Sequence, residues 1–162
     1  MRILNGIYIF TVLLFVIDGF SLVEIKNQFL KSYVYFGIMV ETPIILILNF
    51  AAIKPIKLKI LGVAFPLLIL SGIMYLEPLR IVFASSVWKT NTIYYQNTHW
   101  DCKKVEDQMK GLGAFGRNRR TVEVTYLTNL FIIVRDTSDR VYDSPEWEHI
   151  NVFVNEPGIK YP

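Results

Sequence analysis

Residues 3–23 read ILNGIYIFTVLLFVIDGFSLV, residues 32–53 read SYVYFGIMVETPIILILNFAAI, and residues 60–76 read ILGVAFPLLILSGIMYL. The first run carries one charged residue, Asp18, the second carries one, Glu41, and the third carries none. A helix of about 20 apolar residues crosses ~30 Å of hydrocarbon, and the bilayer favours a helix because it offers the backbone no water to bond. The runs therefore predict three transmembrane helices within residues 1–78, spanning about 3–23, 32–53 and 60–77.

Two other interpretations of these apolar runs are disfavoured. Three helices of a soluble bundle would each carry a polar stripe, and none of the runs has one. A cleaved signal peptide fits Arg2 and the apolar residues that follow it, but the run ends in Asp18-Gly19-Phe20-Ser21 without a small-x-small cleavage pattern. We therefore expect residues 1–23 to remain as the first span.

Composition limits the class of protein further. The 162 residues are 52% hydrophobic and 19% charged, and residues 89–162 carry ten Lys or Arg against ten Asp or Glu. This neutrality excludes a strongly basic nucleic-acid-binding protein, and a single cysteine, Cys102, excludes a disulfide-stapled secreted module. What remains is a small membrane protein with a polar domain at residues 89–162.

Lysines between the second and third runs indicate the orientation. Lys54, Lys57 and Lys59 fall within six residues, and positive loops favour the cytoplasmic side. Three spans then place the N-terminus in the cytoplasm and residues 89–162 outside, in a plasma or inner membrane. Residues 79–88 are too short to cross, and Trp88 at their end is typical of an interfacial segment, although an opening strand is an alternative.

Asp18 and Glu41 are the first candidate site, because ionisable residues inside a span are usually functional. The first two spans are expected to be antiparallel neighbours, which would bring the two carboxyl groups within ~5–10 Å of each other at 1.5 Å rise per residue. A carboxyl group that leaves water releases its proton less readily, so one hypothesis is a proton or cation site. The alternatives are interhelical packing, as also expected for Asn5 and Asn49, hydration at the interface, and pairing with a cation of a partner subunit.

The polar half predicts a small α+β domain with one helix packed on a mostly antiparallel sheet. The expected helix begins at Thr98 and buries one stripe of residues, namely Cys102, Val105, Met109 and Leu112. Strands are expected at residues 91–96, 121–126, 130–134 and 150–154, where β-branched and aromatic residues are frequent. A domain of this size has a marginal core, which favours docking to the membrane or to a partner.

A glycine-rich loop followed by arginines is the second candidate site. The segment from Gly111 to Gly116 matches the letters of the dinucleotide fingerprint, but it follows the expected helix instead of opening one, so we reject that interpretation. Gly113 and Gly116 permit close backbone approach, and Arg117, Arg119 and Arg120 can fork onto a phosphate or carboxylate. The loop therefore predicts either a flexible linker or an anion site for lipid headgroups or an acidic partner.

Catalysis and metal binding have little support in the sequence. His99 and Cys102 would be neighbours on the expected helix, as a thiolate and its base require, but Cys102 belongs to the apolar stripe. Two histidines and one cysteine show no zinc spacing, and we expect no cofactor. The sequence predicts a non-enzymatic membrane subunit that binds or scaffolds a protein partner or a second copy, and the alternative is a small transport or ion-coupling subunit that uses Asp18 and Glu41.

Overall fold

A computed structural model of the chain describes residues 2–54, 56–76, 81–82, 84–111, 116–137, 142 and 144–158. These residues divide between two compact units. The helical unit comprises residues 1–19 and 29–85, and the sheet unit comprises residues 20–28 and 86–162. The segment between the first two helices therefore belongs with the C-terminal half of the chain.

Three long helices carry the three apolar runs. They are α1 (Arg2–Phe20), α2 (Gln28–Ala52) and α3 (Ile56–Tyr75). All three are long and apolar enough to cross a membrane, which confirms the predicted helices. The first helix ends at Phe20, before the predicted limit at Val23, because the residues that follow form a strand.

Helices α1 and α2 are neighbours joined by polar contacts. The Asn5 side-chain amide donates to Asn49 Oδ1 at 3.2 Å, as the sequence predicted, and the Tyr8 and Thr42 hydroxyls lie 3.2 Å apart. The Asn49 amide also donates to the Gly62 carbonyl oxygen of α3 at 2.8 Å. In a membrane, where lipid tails are as apolar as the helices themselves, such hydrogen bonds and close packing are what hold helices together.

The sheet unit is a single six-stranded antiparallel sheet with the order β1-β5-β4-β3-β2-β6. Its strands are β1 (Val23–Ile25), β2 (Lys89–Asn97), β3 (Lys103–Gly111), β4 (Arg117–Tyr126), β5 (Phe131–Asp136) and β6 (Trp147–Phe153). The connector between α1 and α2 thus supplies an edge strand, and Ile25 pairs with Phe131. No pattern in the sequence indicates that this connector belongs to the polar domain.

The predicted strands at residues 91–96, 121–126, 130–134 and 150–154 are confirmed as β2, β4, β5 and β6. The helix predicted to begin at Thr98 is wrong, because residues 103–111 form β3 and bond to both β2 and β4. Leu112, the last residue of the predicted stripe, lies outside the described residues. The central position of β3 buries Val105 and Asp107 on one face and Glu106 and Gln108 on the other. Those three polar side chains interrupt the alternation of apolar and polar residues by which a strand is usually recognised.

The core of the sheet lies on one face of β4 and β5. Val122, Val124, Ile132 and Val134 form a buried apolar cluster, and Tyr126 packs against it. Strand alternation places these side chains together, since Val124 pairs with Val134 and Tyr126 with Ile132. In the segment predicted to be interfacial, Ile81, Val82 and Ala84 are helical, while residues 79, 80 and 83 lie outside the described residues.

Candidate functional site

The carboxylate of Asp18, near the end of α1, is paired with a lysine of the same chain. Lys31 Nζ lies 2.9 Å from Asp18 Oδ2, and the Tyr35 hydroxyl donates to the same oxygen at 2.6 Å. The side chains of Asp18 and Lys31 are 0% and 5% exposed. Opposite charges that are buried in contact cancel each other, which makes the pair far less costly inside a membrane than either charge alone.

This pairing gives Asp18 a structural role at the end of α1. One prediction from the sequence was that Asp18 pairs with a cation of a partner subunit, whereas Lys31 of the same chain is its partner here. The structure places Lys31 in the first turn of α2 and 4% exposed. Removing one member of such a pair leaves the other charge buried and uncompensated, which is strongly destabilising.

Glu41, near the middle of α2, has different surroundings. Its Oε1 accepts a hydrogen bond from the Tyr33 hydroxyl at 3.3 Å, and its Oε2 is buried without a hydrogen-bond partner among the described residues. Gly37, one turn earlier, leaves space beside it, because a Cβ there would lie 3.5 Å from Glu41 Oε1 and 3.5 Å from the Thr11 methyl carbon. The carboxyl groups of Asp18 and Glu41 therefore have separate hydrogen-bond partners, and Glu41 is the less satisfied of the two.

The predicted arginine site is divided by the alternation of strand β4. Arg117 and Arg119 lie on one face of the strand and Arg120 lies on the other, since successive strand side chains point to opposite faces. Arg119 Nε is 2.6 Å from Asp107 Oδ1, and this hydrogen bond and charge raise the pKa of the Arg119 guanidinium above its ordinary value. Arg117 is exposed, Gly116 has a positive φ of 97°, and Gly113 lies outside the described residues.

Arg120 binds the connector between α1 and α2. Its two terminal nitrogens each lie 2.7 Å from one carboxylate oxygen of Glu24, and its Nε donates to Gln108 Oε1 at 3.1 Å. The guanidinium carbon also lies 4.2 Å from the centre of the Trp88 ring. This bidentate geometry with stacking is specific to arginine, so Arg120 holds β1 to the centre of the sheet.

The hydrogen-bond network continues through Glu106, which is 1% exposed. Its Oε2 accepts from the Thr90 hydroxyl at 2.8 Å and from the Gln108 amide at 3.0 Å, and its Oε1 accepts from the Tyr126 hydroxyl at 2.8 Å. Burial, followed by the negative charge of Glu106, raises the pKa of the Tyr126 phenol above its ordinary value, so the phenol keeps the proton that it donates. Three donors thus compensate the burial of the Glu106 carboxylate.

Lys26 closes the network from the other end of the connector. Its Nζ lies 2.9 Å from Glu156 Oε2 and donates to Thr90 Oγ1 at 3.0 Å and to the Trp88 carbonyl oxygen at 3.4 Å. We define the connector network as Glu24, Lys26, Thr90, Glu106, Gln108, Arg120, Tyr126 and Glu156. Its members are far apart in the sequence, since Lys26 and Glu156 alone are separated by 130 positions, and no local pattern joins them.

The two candidate catalytic residues that the sequence offered lie in the turn between β2 and β3. His99 and Cys102 are therefore not on a helix, and His99 Nδ1 lies 3.1 Å from the Thr98 hydroxyl. A small cavity of about 240 Å³ opens there, lined by Asn97, His99, Trp100, Lys103 and Glu146. Within the described parts of the chain, no group of three His, Cys, Asp or Glu side chains is placed to hold a metal ion.

The chain shows significant similarity to no known protein family, to no curated protein and to no solved structure. Its own geometry therefore carries the functional argument. The connector network pairs carboxylates with hydrogen-bond donors inside the sheet unit. This arrangement stabilises the sheet and attaches to it the connector between α1 and α2.

We expect Arg120→Ala to lower the free energy of unfolding of the sheet unit by about 2 kcal/mol, because Glu24 and Gln108 lose charged hydrogen bonds. Arg117→Ala, an exposed change on the same strand, should stay within about 0.5 kcal/mol of the original. The measurement is the denaturant midpoint of tryptophan fluorescence in detergent, since Trp88, Trp100 and Trp147 all lie in the sheet unit. Equal losses in both variants would contradict this role of Arg120.

Proposed function

We propose that this chain is a non-enzymatic binding or scaffolding subunit, anchored in a membrane and presenting its sheet unit on the extracytoplasmic side of a cell envelope. The observation that carries the proposal is the pairing of β1 with β5. Because β1 lies between two candidate membrane spans, the sheet is attached to the helices through the connector as well as through the chain that precedes β2. A sheet attached in this way suits a platform that holds a partner in a fixed place.

The roles of the buried polar groups support binding over catalysis. The carboxylates of Asp107 and Glu106 are 0% and 1% exposed and accept hydrogen bonds from side chains of the sheet unit. A catalytic group needs to reach a substrate, in a cleft where its protonation is tuned to the reaction. These carboxylates instead stabilise the sheet.

The turn between β2 and β3 is a candidate binding surface for a protein partner or a second copy. Trp100 is 67% exposed there, beside the small cavity lined by His99 and Lys103. Tryptophan is enriched among the residues that dominate protein interfaces, because it buries a large rigid surface. A partner that covers Trp100 would remove this exposed aromatic ring from water.

The test is the mass of the complex purified in mild detergent, compared with the 18.8 kDa of one chain. We expect a stoichiometric complex with another protein, identified by mass spectrometry, or with a second copy of the chain. The affinity of the chain for this partner should be at least about tenfold weaker in Trp100→Ala. Thr121→Ala, an exposed change on β4, is the matched control and should leave the complex intact. A single chain without a protein partner would contradict the scaffolding proposal.

The alternative is a small transport or ion-coupling subunit, and the environment of Glu41 is the observation that favours it. With Asp18 paired to Lys31, only Glu41 of the two carboxyl groups has an oxygen without a hydrogen-bond partner among the described residues. Glu41→Gln keeps hydrogen bonding and removes titration. If the original chain carries protons into vesicles and Glu41→Gln abolishes that proton flux, the result would support transport in place of scaffolding.

The proposed orientation rests on charge and on the number of spans. With three spans, the connector that contains β1 and the rest of the sheet lie on one side of the membrane, and the connector between α2 and α3 lies on the other. Lys54 follows α2, and Lys57 and Lys59 lie at the start of α3. This concentration of lysines favours the cytoplasmic side for the second connector.

Cysteine accessibility checks this orientation in a Cys102→Ser background. A membrane-impermeant maleimide added to intact cells should label Thr121→Cys and should label Lys57→Cys only after the membrane is opened, since both positions are exposed. Labelling of Lys57→Cys alone in intact cells would reverse the orientation and place the sheet unit in the cytoplasm.

A further inference from the structure

The turn between β4 and β5 exposes two large apolar side chains. It reads Leu127-Thr128-Asn129-Leu130, and its leucines are 52% and 41% exposed. Turns of this length are usually made of polar residues and glycine, which tolerate water and tight backbone angles. Two leucines that flank a polar tip are therefore unusual for a turn surrounded by water.

Hydrogen bonding joins this turn to the connector residues that precede α2. The Lys26 backbone amide donates to the Leu130 carbonyl oxygen at 2.8 Å. Helix α2 begins at Gln28, two residues after Lys26. Two residues reach at most ~7 Å, and the Cα atoms of bonded antiparallel neighbours lie about 5.5 Å apart. The Cα atom of Leu130 is therefore within roughly 13 Å of the first residue of α2.

The length of α2 places that first residue at the membrane surface. Its 25 residues extend for about 37 Å at 1.5 Å per residue. The hydrocarbon core is only ~30 Å thick, so the ends of α2 reach into the headgroup layers. The turn is consequently held within roughly 13 Å of the point where α2 enters the headgroup layer.

The backbone of the turn already satisfies most of its donors without water. The amides of Leu127 and Thr128 donate to the Phe131 carbonyl oxygen at 3.1 and 3.2 Å. The amides of Leu130 and Phe131 donate to the Thr128 hydroxyl oxygen at 3.1 and 3.2 Å. Since unsatisfied amides are what makes irregular backbone costly near hydrocarbon, this turn leaves water at a reduced cost.

We propose that the turn at residues 127–130 inserts Leu127 and Leu130 into the interfacial layer of the lipid bilayer. This interfacial turn is a further point of attachment between the sheet unit and the membrane, in addition to its covalent connections. The proposal rests on α2 spanning a membrane, as the proposed function does, and it is independent of which side the sheet occupies and of any protein partner.

A fluorescent probe with lipid-bound quenchers tests the insertion. In a Cys102→Ser background, Leu130→Cys and Thr121→Cys are each labelled with the polarity-sensitive dye NBD, and the full chain is reconstituted into phosphatidylcholine vesicles. We expect the probe at position 130 to emit at shorter wavelength and to lose emission when the lipids carry a nitroxide near the headgroup. The probe at position 121, exposed on the face of β4 opposite Arg120, should show neither change.

A second variant shows whether the leucines are responsible. NBD at Asn129→Cys should be quenched by the nitroxide lipids, and it should lose that quenching when Leu127 and Leu130 are both replaced by serine. Both leucines are partly exposed, so these replacements should leave the fold intact.

Two results would overturn the proposal. A probe at position 130 that behaves like the probe at position 121 places the turn in water. A probe at position 130 that emits at shorter wavelength but is not quenched is covered by protein instead of lipid. A probe at Ile44→Cys, in α2 and 49% exposed, must be quenched in every case, and its failure would instead refute the membrane anchoring on which the proposed function depends.

Discussion

The pairing of β1 with β5 is the constraint on which the rest of this structure depends. Three residues, Val23–Ile25, lie between two candidate membrane spans and complete a sheet whose other strands come from the C-terminal half of the chain. The connector therefore folds with the sheet unit, although the two segments that it joins are helices of the other unit. The β4–β5 turn is positioned by the same constraint, since it is bonded to the residue that follows β1.

Charge neutralisation is the second theme of the molecule, and it is concentrated around the same connector. Glu24 is paired with Arg120, Lys26 with Glu156, and Lys31 with Asp18. Glu24 and Lys26 are paired with residues that are distant in the sequence, and Lys31 of α2 is paired with a residue of α1. These ion pairs explain why Arg120, which suggested an anion site, and Asp18, which suggested a transport site, act as structural residues.

The sequence predicted the elements that are defined by local apolar patterns and missed those defined by distant partners. Three apolar runs were sufficient to locate α1, α2 and α3, because a membrane span is a property of one continuous segment. The spacing of Cys102, Val105 and Met109 is helical and predicted a helix in place of β3. The buried carboxylates of β3 accept hydrogen bonds from neighbouring strands, which no local pattern reveals. Strand β1 is too short to show a pattern, and nothing local marks Lys31 as the partner of Asp18.

Disulfide crosslinking across β1 and β5 tests the central claim most directly. Val23 pairs with Ile133 across the two strands. Backbone hydrogen bonds join Lys26 to Leu130 and Val134 to Leu22, so Val23 and Ile133 form a non-hydrogen-bonded pair of the antiparallel ladder. The side chains of such a pair are close enough for a disulfide. In a Cys102→Ser background, Val23→Cys with Ile133→Cys should form a disulfide under mild oxidation, identified by mass spectrometry of the joined peptides. Val23→Cys with Phe131→Cys, two residues out of register, should form little. Equal crosslinking of the two pairs, or none in either, would contradict the assignment of the connector to the sheet.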